Sequence, residues 1–209
     1  MPNVEHPMQA LTKFLPGGTF EPVVHYIHYY KVHLTVTKKR KSILGDYRHS
    51  FQGKNHRISI NGNLNKYEFL ITLLHELAHL LTYEQFGNKV EAHGKHWKAN
   101  YSQLLINFVQ QNIFPSDIKN ALQKSILNPA ATANGETELL LVLRKYEEVK
   151  KEGYHTIAEL PVNAIFQTEK GKLFRKGIKR RVRYECIEVR TNLRYSFSAI
   201  TVVKWIQQE

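Results

Sequence analysis

The chain has 209 residues, 42% of them hydrophobic and 11% aromatic, which is enough for one sizeable core or for a main domain with a small satellite. Lysine and arginine total 30 against 18 acidic residues, a net charge of +12 that favours polyanionic partners, nucleic acid before anionic membrane. The single cysteine, Cys186, excludes an intrachain disulfide framework and any multi-cysteine zinc ribbon.

The N-terminal stretch MPNVEHPMQALTKF has no basic segment followed by an apolar run, so no signal peptide is expected. No stretch approaches the roughly 18 apolar residues of a membrane span, and a cytoplasmic location with no membrane partner is expected. Residues 7–14 read as a short helix closed by Pro16-Gly17-Gly18. A tyrosine- and histidine-rich segment, 23–30, leads into Lys31 to Thr37, whose alternating apolar residues predict a strand. The basic run Lys38 to Lys41 reads as a solvated turn. Extended structure resumes at Gly45-Asp46-Tyr47-Arg48, and His56 to Ile60 alternates again before the turn signal Asn61-Gly62-Asn63.

The period then changes. From Asn65 the apolar residues fall at 69, 70, 73, 74, 77, 80 and 81, which predicts a helix with a broad buried face. Asn65 with Glu68 three residues on suits its start, and Gly87-Asn88 its end. A second helix begins near Gly94. Residues 128–136 are small and polar and read as a linker, followed by a helix at 137–150. Strands are predicted at 157–166, 181–189 and 195–203. The expected division is a catalytic domain over 1–127, the linker, and a helix plus basic β-rich module over 137–209.

Within the strongest helix lies His75-Glu76-Leu77-Ala78-His79. Residues four apart share a helical face, so both imidazoles can reach one ion, and Glu76 sits beside that face, placed to accept a proton from an activated water. A catalytic zinc needs a third protein ligand. The metzincin spacing would put Gly at 82 and His at 85, but Thr82 and Gln85 stand there. Glu91, His93 and His96 are the third ligands available just downstream.

HELAH followed by HGKHW resembles the SprT-like metallopeptidases, which include the Spartan-type DNA-protein crosslink proteases. The resemblance covers roughly residues 1–127 and extends upstream to Gly45-Asp46-Tyr47-Arg48 and Ile58-Ser59-Ile60-Asn61. It implies an α+β, zincin-like domain and a single zinc ion on His75, His79 and His93. Glu76 would be the catalytic base and Trp97 would fill an aromatic position. His96 departs from the pattern and reads as a group near the substrate or a rival ligand. The resemblance further implies hydrolysis of peptide bonds in DNA-bound or DNA-crosslinked proteins, with the substrate extended beside the strand at 56–60. The alternative is a nucleic-acid-binding protein with a structural zinc site and little proteolysis; an intact Glu76 argues against it.

The tail lacks the family's four-cysteine ribbon but has its own cations. Between 170 and 194 lie ten lysines and arginines, opposed only by Glu185 and Glu188. Lys172, Arg175, Lys176, Lys179, Arg180, Arg181 and Arg183, with aromatics interleaved, suit single-stranded DNA, where charge tracks the backbone and rings stack on bases.

Overall fold

A computed structural model of the chain describes residues 8–40, 43–130, 136–147 and 152–207. Residues 1–7 of the expected catalytic domain, Lys41 of the basic run and 131–135 of the expected linker lie outside them. The molecule is mixed α+β and divides into two compact units, 1–147 and 148–209. Among the described residues no helix is long and apolar enough to cross a membrane.

The first unit opens with a 3-10 helix, Met8–Lys13. Helix α1 (Phe20–Tyr29) follows and takes most of the tyrosine- and histidine-rich segment, burying Val23 and Ile27. Strands β1 (His33–Thr37), β2 (Gly45–Arg48) and β3 (Arg57–Asn61) form one sheet in the order β1-β3-β2. The middle strand, β3, is parallel to β1 and antiparallel to β2. It therefore has both edges paired, and the substrate pairing expected at 56–60 finds no free hydrogen-bonding edge there. The open edge next to the cleft belongs to β2.

Helix α2 (Lys66–Phe86) is the centre of the unit. Its N-cap is Asn65, whose side-chain oxygen accepts from the Glu68 N–H at 3.0 Å. Phe69, Leu70, Leu73, Leu74, Leu77, Ala78 and Leu80 are fully buried, so the helix is enclosed nearly all round rather than on one stripe. It packs against β2, β3 and helix α3 (Lys95–Gln110). Helix α4 (Ser116–Leu127), unassigned by the sequence pattern, packs on α3.

The helix expected to open the C-terminal module is shorter, α5 (Thr137–Leu143), and belongs to the first unit. Leu139 and Leu143 are buried in the same core as α2 and α3. Apolar residues on that helix find a ready face there, which composition alone does not reveal.

The second unit is a six-stranded antiparallel sheet in the order β4-β9-β5-β6-β7-β8. The strands are β4 (Tyr154–Thr156), β5 (Ile165–Gln167), β6 (Leu173–Arg180), β7 (Arg183–Glu188), β8 (Arg194–Ser198) and β9 (Val202–Ile206). The strand expected over 157–166 is mostly turn, yet Ile157 and Leu160 are buried; their apolar pattern reflects burial, not extension. Phe166, Phe174, Cys186 and Val203 form the core with Ile157 and Leu160.

Candidate metal centre

Helix α2 supplies the first two donors. His75 and His79 lie one turn apart, ring centroids 5.1 Å from each other. The helix stops at Gly87, whose φ of +60° is a conformation that glycine adopts without strain. A 3-10 turn at Gly87–Lys89 and the loop to Gly94 bring His93 to the same place, just before α3. Its ring lies 5.4 Å from His75 and 4.6 Å from His79. One donor atom from each of the three histidines lies within 4.8 Å of the others.

The donor set fits a metal. Nitrogens bonded tetrahedrally to zinc at about 2.0–2.1 Å stand roughly 3.3–3.4 Å apart. The Nε2 atoms of His75 and His93 are 3.4 Å apart. Burial and the neighbouring histidines push His75 down to about 3, and burial followed by His93 pushes His79 down to about 4. Burial lowers His93 as well. All three are therefore neutral at pH 7, the form in which imidazole ligates.

Trp97, in the first turn of α3, is fully buried with its ring centroid 4.7 Å from both His75 and His93. Its Nε1–H has no acceptor among the described residues. Tyr101 stacks on Trp97 at 5.1 Å and backs His75 at 5.5 Å. His96 stands apart from the three donors, its ring 4.0 Å from Phe86. Glu91 lines the cleft and is exposed, outside the donor group.

Glu76 is 6% exposed and faces the cleft of about 650 Å³ that also contains the three histidines. Strand β2 crosses directly over it. A Cβ on Gly45 would stand 2.5 Å from Glu76 Oε1 and 2.8 Å from Thr72 Cγ2, so only glycine allows this approach. Burial, then Asp46, pushes Glu76 up to about 8, while Arg40 pulls it down. A bound dication would also favour the charged form.

Arg40, expected in a solvated turn, is instead drawn into the fold. Its Nε donates to Asn61 Oδ1 at 2.7 Å and its Nη1 to Ser59 Oγ at 2.9 Å. Tyr47 stacks nearly parallel to His79, centroids 6.3 Å apart. Its hydroxyl is 2.9 Å from His56 Nδ1, and His56 Nε2 is 3.2 Å from Glu84 Oε1. Burial, with Glu84 and Tyr83 near, pushes the Tyr47 phenol up, so it keeps its proton.

Sequence reading gave Arg40 no place in the site, and it marked Gly45 and Tyr47 only as part of the upstream resemblance, without a role. The one local signal was a glycine in a strand, which marks close backbone approach.

The basic residues expected to touch nucleic acid separate into two groups. Lys179, Arg180, Arg181 and Arg183 are exposed at the tip of the β6–β7 hairpin, and Arg175 is exposed on β6. Arg183 donates to Ser196 Oγ and O. Lys172 pairs with the buried carboxylate of Glu188 at 3.0 Å. Lys176 is 3% exposed, its Nζ donating to the carbonyls of Ala158 and Leu160, so it is spent inside the fold and presents no surface charge. Strand alternation turned it inward beside Cys186, its cross-strand partner.

Neither a curated protein nor a solved structure matches the chain. Residues 19–117 match the SprT-like family, which is associated with zinc metallopeptidase-like proteins. The matched segment spans α1, the three-stranded sheet, α2, α3 and all three clustered histidines. The part of the chain that builds this centre is the part that matches the SprT-like family.

Proposed function

We propose that the chain is a zincin-like, zinc-dependent endopeptidase that cuts DNA-associated proteins, with His75, His79 and His93 holding one zinc ion and Glu76 as general base. The observation that carries this reading is the convergence of three imidazole donors within 4.8 Å in a cleft that also holds the carboxylate of Glu76.

Zinc in such a site supplies Lewis acidity, polarising the scissile carbonyl and bringing the pKa of water towards about 7. The chain does the rest. Glu76 Oε accepts a proton from the attacking water and returns it to the leaving amine. Gly45 lets β2 lie against that carboxylate and against Thr72. The free edge of β2 offers backbone N–H and C=O groups to an extended substrate segment. The cations at the hairpin tip of the second unit hold the nucleic acid on which substrates sit.

Cleavage of a DNA-binding protein with and without single-stranded DNA tests this reading. DNA should stimulate cleavage at least severalfold, and replacing Lys179, Arg180 and Arg181 with glutamate should remove that stimulation. Cleavage indifferent to DNA would leave a general metallopeptidase and sink the nucleic-acid part.

A further inference from the structure

The cleft does not end at the histidines. Along α2 it continues past Thr72 and Ile71 to Glu68, where its far wall is α5, contributing Leu139, Leu140 and Leu143. This wall lies outside residues 19–117, the stretch matched to the family. It is therefore built by a part of this chain that the family match does not cover.

Glu68 is the distinctive group at that end. Its backbone N–H is taken by Asn65, but its carboxylate has no hydrogen-bond or ion-pair partner among the described residues. Glu136, on the same wall, is already engaged, accepting from the Ala130 N–H at 3.3 Å. Burial, then the nearby Glu147, pushes Glu68 up to about 7, against the pull of the helix N-terminus, which favours a carboxylate. A poorly solvated carboxylate without a counter-charge is costly, and a cation placed beside it relieves that cost.

The walls and the carboxylate together describe a ligand. Ile71 and the three leucines suit a methylene stem, and Glu68 suits a charged head; lysine and arginine side chains combine the two. Glu68 and His75 are seven positions apart on the helix, a rise of about 10 Å. An extended peptide covers that distance in about three residues.

We propose that Glu68 and the α5 wall form a specificity subsite for a lysine or arginine side chain of the substrate, within about three residues of the bond that is cut. The proposal rests on the peptidase reading above and names its substrate class. Proteins that bind DNA carry such side chains in abundance, so a cleft that selects them would direct a basic enzyme towards other basic proteins.

Binding separates this proposal from the peptidase reading. Two fluorescent peptides, identical except for lysine or uncharged norleucine at the third residue from the centre, are titrated against the zinc-loaded Glu76→Gln full-length chain at fixed ionic strength. The lysine peptide should bind about tenfold or more tightly, as a charge-assisted contact in a partly buried site would give. Adding Glu68→Gln should erase the preference, and Glu68→Lys should turn it towards a glutamate peptide. Retained norleucine-peptide binding reports that the cleft is still formed. Equal binding of the two peptides by the parent, or a lysine preference that survives Glu68→Gln, overturns the proposal. A lysine preference that depends on Glu68, in a chain whose wild type hydrolyses nothing, would support the subsite while removing the peptidase reading.

Discussion

Glu76 owes its position to a residue with no side chain. The 2.5 Å that a Cβ on Gly45 would leave to Glu76 Oε1 is below any real contact, and Thr72 Cγ2 at 2.8 Å closes the alternative side. Gly45→Ala must therefore push the carboxylate out of line. Displacing a catalytic group by about 1 Å costs on the order of a hundredfold, so kcat should fall roughly 10- to 100-fold while zinc content stays at the wild-type level. Loss of zinc along with activity would show that the strand holds the metal centre and not the base. Of the residues at this scale, His75, Glu76 and His79 were legible because helical spacing alone puts them together. His93 was one of three candidates by spacing, and only the family resemblance singled it out. The Tyr47–His56–Glu84 chain was not legible, since it joins β2, the residue before β3 and the last turn of α2.

At the scale of elements, α2 is where sequence and structure agree most closely, because an N-cap, a long apolar period and a glycine stop all act locally. Helices α1, α4 and α5 lack that redundancy, and α5 is placed by a distant face of the core. Asn65 joins two of these elements. Its Oδ1 caps α2, and its Nδ2 donates to the Leu143 carbonyl at the end of α5 at 2.9 Å. Asn65→Ala removes both bonds at a buried site. About 1 kcal/mol for the cap and a similar amount for the stranded carbonyl give a loss of roughly 2 kcal/mol in denaturant unfolding. Asn65→Asp keeps the acceptor and should recover about half. Full recovery would mean that the link to α5 contributes nothing.

On the scale of the whole molecule, composition and charge described a basic protein, alternation in the tail described a β-rich module, and the chain divides into two compact units at residue 147. The boundary moved from 127 to 147 because the residues between them complete the first core. The run of cations in the tail was visible, but not that strand pairing buries Lys176 and commits Lys172 to Glu188. Net charge describes what a surface attracts; it does not say which cations reach the surface. On the peptidase reading the chemistry lies in the first unit alone: three histidines hold the metal and Glu76 moves the proton. The most direct test is hydrolysis of an unfolded protein substrate by zinc-loaded Glu76→Gln against wild type, with zinc content recorded on the same samples. One zinc per chain is expected in both, with a fall in hydrolysis of at least about a hundredfold in the variant, the scale of losing a positioned general base. Hydrolysis retained in Glu76→Gln at full zinc occupancy would contradict it.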